Sequence, residues 1–206
     1  MYLPRHFSED DTEAAVALAR TAGFGHLVLS GPDRLTSTPM PFVISDDGAQ
    51  VRGHLARPNA IWQLAPCKAL LIVPVSDSYI SPSWYPAKAE HGKVVPTWNY
   101  EVVHLHGRLI AHDDAEWTGH MVRDLTELNE STMPEPWSVD DAPVDYVDQL
   151  MRGIVGVELE VDRIDAKRKL SQNKTDEDRT GMLAGLLDSP RRGADELASA
   201  VSATLR

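Results

Sequence analysis

Val155-Gly156-Val157-Glu158-Leu159-Glu160-Val161-Asp162 carries an apolar side chain at every odd position and a small or acidic one at every even position. Side chains alternate sides along a strand, so this stretch has one core face and one water face, the signature of an antiparallel sheet packed on one side. Upstream, Val94 to Ile110 reads as one long, bent strand. Trp98, Tyr100, Val102, His104 and His106 alternate there with Asn99, Glu101, Val103, Leu105 and Gly107. Lys68 to Val75 is a nearly all-apolar run, expected to be buried on both faces. Asp46-Asp47-Gly48 is a hairpin signal, followed by a returning strand over Gln50–Leu55. His26 to Ser30 leads into the turn Gly31-Pro32-Asp33, and Thr38 to Ser45 follows as a strand containing Pro39 and Pro41. Proline cannot donate to a ladder, so this last strand is expected at an edge or facing a ligand.

Helices fill the remainder. Ser8 before Glu9, Asp10 and Asp11 reads as an N-cap with acids in the first turn; Ala15, Leu18, Ala19 and Ala22 form one face and Gly23 closes the helix. Pro58 to Leu64 reads as one or two helical turns. Asp113 with Glu116 resembles a capping box for a helix with Trp117, Met121, Leu125 and Leu128 on one face. Pro143 to Met151 is expected to turn Val144, Val147 and Leu150 inward. Two more helices, Asp176–Leu187 and Ala194–Leu205, follow the basic stretch Lys167–Lys174. Strands do not alternate with long helices, which argues against a doubly wound parallel sheet. The expected class is α+β: mainly β with flanking helices, an antiparallel Greek-key or split β-barrel with a helical C-terminal region. Residues 1–188 read as one domain and 189–206 as a helical extension.

Composition narrows the function. At 206 residues, with 42% hydrophobic and 25% charged residues, the chain has ample material for a core. The apolar run Ala69–Val75 is far shorter than the roughly 20 residues a bilayer demands, and the N-terminal residues lack the apolar core of a signal peptide. The single cysteine, Cys67, cannot form an internal disulfide, so a soluble cytoplasmic protein is expected. The net charge of −11 opposes approach to a phosphate backbone, which counts against direct nucleic-acid binding.

Neither a Gly-x-Gly-x-x-Gly fingerprint nor a P-loop is present. Gly53-His54-Leu55-Ala56-Arg57-Pro58-Asn59 runs from strand into helix, where backbone amides, a guanidinium and an imidazole can cradle a phosphate. The same residues also suit a solvated arginine beside a core histidine. Ile80–Pro86 and Val95–Tyr100 bring Trp84, Tyr85, Trp98 and Tyr100 together with hydroxyl and amide groups. That combination serves a flat heteroaromatic ligand, a packed core or a dimer interface equally well. Lys169-Leu170-Ser171-Gln172-Asn173-Lys174 suits an anion or a solvated basic loop. His104-x-His106 lacks a third ligand at metal spacing, so no metal site is expected.

Taken in order, these segments resemble the PaiB family of FMN-binding negative transcriptional regulators. The resemblance rests on Met1–Phe7, Gly53–Asn59 with Trp62, Tyr79–Tyr85, Gly92–Tyr100, Val103–Gly107, Ile154–Glu158 and Lys169–Asn173, in register over residues 1–188. It implies an FMN-binding split barrel working as a homodimer with flavin between subunits. On that resemblance Ala56, Arg57 and Asn59 hold the FMN phosphate. Thr38, His54, Trp84, Thr97, Trp98 and Asn99 are candidates for the ribityl chain and ring, and Lys169, Ser171 and Gln172 reach in from the other subunit. Relatives often carry His before the Pro-Phe of the second strand; here the stretch is Pro39-Met40-Pro41-Phe42, which weakens the expectation of flavin contacts from it.

The resemblance implies a flavin-binding regulator. Without a helix-turn-helix and with this charge, its regulation would be indirect. The alternatives are a flavin-dependent oxidoreductase using a nicotinamide or other small reductant, and a flavin-free dimeric binding module. Haem binding, known elsewhere in the wider superfamily, is a more distant one.

Overall fold

A computed structural model describes residues 1–205. In chain order the elements are β1 (Ser8–Glu9), α1 (Thr12–Ala22), β2 (Phe24–Ser30), β3 (Leu35–Ile44), β4 (Gln50–Ala56), β5 (Cys67–Ile80), α2 (Ala87–Glu90), β6 (Thr97–His112), α3 (Ala115–Glu130), α4 (Val144–Met151), β7 (Ile154–Lys169), α5 (Asp176–Leu187) and α6 (Ala194–Ser202). Short 3-10 turns occupy Ala60–Leu64, Pro82–Trp84 and Val139–Asp141. The strands hydrogen-bond in the order β1-β7-β4-β3-β2-β5-β6, and β6 also pairs with β7, closing a ring. The registered pairings are antiparallel. The architecture is the α+β split barrel, with helices flanking the sheet.

The chain divides into two compact units, and β5, β6 and β7 contribute residues to both. The larger unit, residues 12–73 and 104–164, holds β2, β3, β4 and the adjoining parts of the three long strands. Its core is the inward set of each strand: Leu27 and Leu29, Met40 and Phe42, Val51 and Leu55, Leu71, Leu105 and Leu109, Val157 and Leu159. Each such side chain removed from water contributes about 1.5–3 kcal/mol. The alternation along Val155–Asp162 is therefore the barrel's inside and outside.

β3 and β4 form a ladder only at Phe42↔Gly53, Val43↔Arg52 and Ile44↔Val51. Beyond Gly53, β4 pairs with β7 while β3 stays with β2. The Phe42 amide donates to Gly23 O on the β2 side (2.9 Å). Alternation therefore points positions 39 and 41 away from β2, where no ladder bond is lost to proline. The expectation was a strand at an edge or facing a ligand; β3 instead lies between β4 and β2, and its two prolines fall where it pairs with β2 alone.

α3 lies on the outer face of this unit. Gly156 makes room for it: a Cβ there would stand 2.5 Å from the Trp117 ring. Trp117 stacks on His112 (3.9 Å between centroids, 7° between planes), and His112 Nε2 lies 2.9 Å from Glu158 Oε2. His54 pairs across the ladder with Gly156, so it shares this face; its Nδ1 is buried without a hydrogen-bond partner.

The smaller unit, residues 1–11, 74–103 and 165–205, packs Ile80, Tyr85, Leu170, Met182 and Leu186 against Ala194, Leu197, Ala198 and Val201 of α6. Trp84 lies across α5 where Gly181 and Gly185 leave a groove. Glu101, 4% exposed, accepts from Arg168 Nε (2.7 Å) and from Ser76 Oγ (2.9 Å), and Arg168 also faces Glu9 at 3.5 Å.

Several local expectations are corrected. Ser8 is no N-cap: it pairs with Lys167 in β1, and the helix starts at Thr12. The cap of α3 is Asp114, whose Oδ1 accepts from Trp117 N at 2.7 Å, not Asp113. α4 leaves Val144 and Leu150 exposed and half-buries only Val147. β5 runs five residues beyond Val75, to Ile80, and α6 ends at Ser202.

Candidate cofactor site

In the larger unit, the expected phosphate residues sit where β4 ends. Ala56 closes the strand, the Arg57 amide donates to Gly153 O (2.8 Å), and Asn59 Nδ2 donates to Thr38 Oγ1 (3.1 Å) across the unpaired part of β3. Thr38, Ala56, Arg57 and Asn59 are thus gathered at one corner, while His54 faces α3. The Arg57 guanidinium is already engaged. Nη2 and Nη1 donate to Asp113 Oδ1 and Oδ2 at 2.7 and 3.1 Å, Nε to Arg152 O at 2.8 Å, and Nη2 also to Ile154 O at 3.1 Å. Four of its five N–H groups are used. The paired guanidinium holds the Asp113 carboxyl below the usual carboxylate range. A cleft of about 420 Å3 opens beside the pair, between α3 and α4, with Arg152 and Asp148 at its edge and Val147 and Met151 in its wall.

In the smaller unit, a second group converges. Lys169 Nζ donates to Thr97 Oγ1 (2.5 Å) and Trp98 O (2.6 Å) and lies 5.9 Å from the centre of the Tyr100 ring. Lys167 Nζ lies 5.4 Å from that same ring. Burial, with the Lys167 charge adding to it, pushes the Lys169 ammonium below the usual lysine range, while Tyr100 opposes the shift. Trp98 is 52% exposed and meets Tyr79 edge-on. This corner offers a cation without a carboxylate beside accessible aromatic rings, which suits an electron-rich flat ligand.

The other expected residues make contacts within the protein. Asn99 is fully buried; its Nδ2 donates to Ser171 Oγ (2.9 Å), and its Oδ1 finds no partner. Gln172 closes the turn after β7, accepting from Leu170 N and donating to Arg168 O. Trp84 is held on α5. Asp113, Arg152 and Lys167 were not singled out as site residues from the sequence, and Tyr100 only as one of the clustered aromatics. Tyr100 and Lys167 carried a usable signal, because each stands two residues along a strand from an expected site residue.

The Arg57 corner fits a phosphate if Asp113 gives way, since a dianion supplies the same bidentate oxygens with more charge. The Lys169 corner fits a ring with carbonyl edges. Among the described residues, no group of three or more His, Cys, Asp or Glu could hold a metal ion, and no helix is long and apolar enough to cross a membrane.

The family model described as "Putative FMN-binding domain" matches residues 1–163. The chain belongs to that family. FMN is accordingly the cofactor that this membership supports. Among relatives, the chain is 28% identical over 210 residues to "Protease synthase and sporulation protein PAI 2" of Bacillus subtilis, covering 100% of this chain and 99% of that one. It is 32% identical over 158 residues to the protein YKL070W of Saccharomyces cerevisiae, covering 66% of this chain and 94% of that one. Among solved structures, the flavocytochrome Anf3 of Azotobacter vinelandii superposes with a TM-score of 0.58 at 14% identity, over 81% of this chain and 72% of that one. This last likeness is one of fold.

Proposed function

We propose that this family member is a cytoplasmic, homodimeric FMN-binding protein whose regulatory role is indirect. The match of the FMN-binding family model to residues 1–163 carries the FMN part of this reading. The full-length relationship to the Bacillus subtilis sporulation protein supports the regulatory part. Arg57 is the phosphate-binding cation, with Ala56, Asn59 and Thr38 lining its corner. Lys169, Thr97 and Trp98 are the proposed ring contacts. His54, Trp84, Asn99, Ser171 and Gln172 hold the framework on which these sit.

When bound, FMN supplies electron-transfer chemistry. The protein's own groups orient and neutralise: Arg57 meets the phosphate charge, and the Lys169 ammonium favours negative charge on a nearby carbonyl edge. The net charge of −11 keeps nucleic acid away, so regulation proceeds through a protein or a metabolite.

The test is the visible absorbance of the purified protein, followed by titration with FMN and light scattering to count subunits. Two flavin bands that shift on saturable binding, together with a dimer mass, are expected. A spectrum unchanged by excess FMN would overturn the flavin assignment, and a monomer mass would overturn the dimer.

A further inference from the structure

Between Asp124 and Met151 the chain carries eight acids and no lysine or arginine: Asp124, Glu127, Glu130, Glu135, Asp140, Asp141, Asp145 and Asp148. Two of these are ion-paired, Asp124 with Arg52 and Asp140 with Arg123. The other six form no ion pair among the described residues. The same stretch exposes large apolar side chains: Leu128, Met133, Trp137, Val144, Tyr146 and Leu150 are 40–76% exposed. A groove of about 440 Å3 runs along it, with Thr126, Glu127 and Glu130 of α3 on one side and Pro136, Trp137 and Val139 on the other. The groove is built rather than loose. Glu130 Oε2 accepts from Trp137 N at 3.0 Å, and Ser138 caps the following 3-10 turn in a capping box with Asp141.

Arg123 also lines the groove, but its charge is spent on Asp140, so the unpaired charges around this apolar surface are all acidic, the mark of an interaction site. We propose that this face, from the end of α3 through α4, docks a basic amphipathic segment of another protein. Lysine or arginine would meet the carboxylates, and apolar side chains would cover Trp137 and Tyr146. Charge selects this occupant. A second copy would set six unpaired acids against six, and an anionic membrane or nucleic acid would be repelled in the same way. The face requires no flavin, so this inference and the FMN assignment fail separately.

The probe is a synthetic amphipathic helix with leucine on one side and lysine on the other, fluorescently labelled and titrated with the full-length protein. Saturable binding that weakens with salt is expected, with hydrogen exchange slowed over residues 124–151. The same peptide with glutamate in place of lysine is expected not to bind. Trp137→Ala with Tyr146→Ala, and separately Glu127→Lys with Asp145→Lys, are each expected to weaken binding by about tenfold or more while circular dichroism stays unchanged. Binding of equal strength in both double variants would overturn the proposal, as would protection confined to other residues or no binding at all. Self-association of the parent protein that Trp137→Ala with Tyr146→Ala abolishes would also overturn it, by giving the face to a second copy.

Discussion

Arg57 and Asp113 meet as a two-bonded pair, Nη2 to Oδ1 at 2.7 Å and Nη1 to Oδ2 at 3.1 Å, at the corner proposed for the FMN phosphate. The aspartate occupies the fork that a phosphate would use, so it is a built-in competitor. Both side chains are partly exposed, which keeps the pair weak enough to exchange. Asp113→Asn is expected to tighten FMN binding, whereas Arg57→Ala is expected to weaken it by about tenfold or more. Equilibrium titration of both variants checks this, and a phosphate site elsewhere would leave both affinities at the parent value.

Burial holds the His54 imidazole below its ordinary pKa of 6.5. The unfolded chain therefore takes up this proton first as the pH falls. The stability tied to neutral His54 is complete above the unfolded-state pKa and is lost as the pH falls through it toward the lower folded value. Urea midpoints at pH 7.5 and at pH 5.5, both about a unit from that value, are expected to differ more for the parent than for His54→Leu. Identical differences would remove His54 from the acid response.

Gly185 and Gly119 form a matched pair of helix glycines. A Cβ at Gly185 would collide with the Trp84 ring, while one at Gly119 would rest 3.7 Å from Met151 Cε, an ordinary contact. Gly185→Ala is expected to cost about 1–3 kcal/mol through overpacking. Gly119→Ala is expected to be neutral or to gain up to about 1 kcal/mol through helix propensity. Thermal midpoints of the two variants should therefore move in opposite directions, or only that of Gly185→Ala should move.

Glu101 is buried with Arg168 and Ser76 as its partners. Removing the carboxylate strands a guanidinium that is 24% exposed on its side chain and, among the described residues, keeps the longer contact to Glu9 as its one ion pair. Glu101→Ala is expected to destabilise by about 2–4 kcal/mol, below the upper range for fully buried pairs because water reaches Arg168. Denaturant unfolding measures it, and a loss under half a kcal/mol, the usual scale of a surface substitution, would show the pair to be marginal.

The sheet was legible because alternation is local: Val155 to Asp162 shows its two faces without reference to anything else. What depended on distant partners was not. Ser8 with acids behind it has the same local signature as a cap, and only the free edge at Lys167 makes it a strand. The periodicity of α4 marks a face but cannot say that nothing covers Val144 and Leu150. At the candidate site, Arg57 was visible as a cation at the end of a strand. Asp113 stands 56 residues away, and no spacing rule joins them. Trp84 was legible as an aromatic, but its role as packing for α5 depends on Gly181 and Gly185, which nothing in the local sequence ties to it.

Pro39 and Pro41 have a consequence for solubility. Where β3 parts from β4, the strand presents carbonyl oxygens but no amide hydrogens at these two positions. An incoming strand from an unfolded or crowded neighbour would find acceptors and no matching donors, and could not propagate a ladder. The part of β3 beyond its ladder with β4 is therefore closed to accidental β-pairing and gains no adhesive edge.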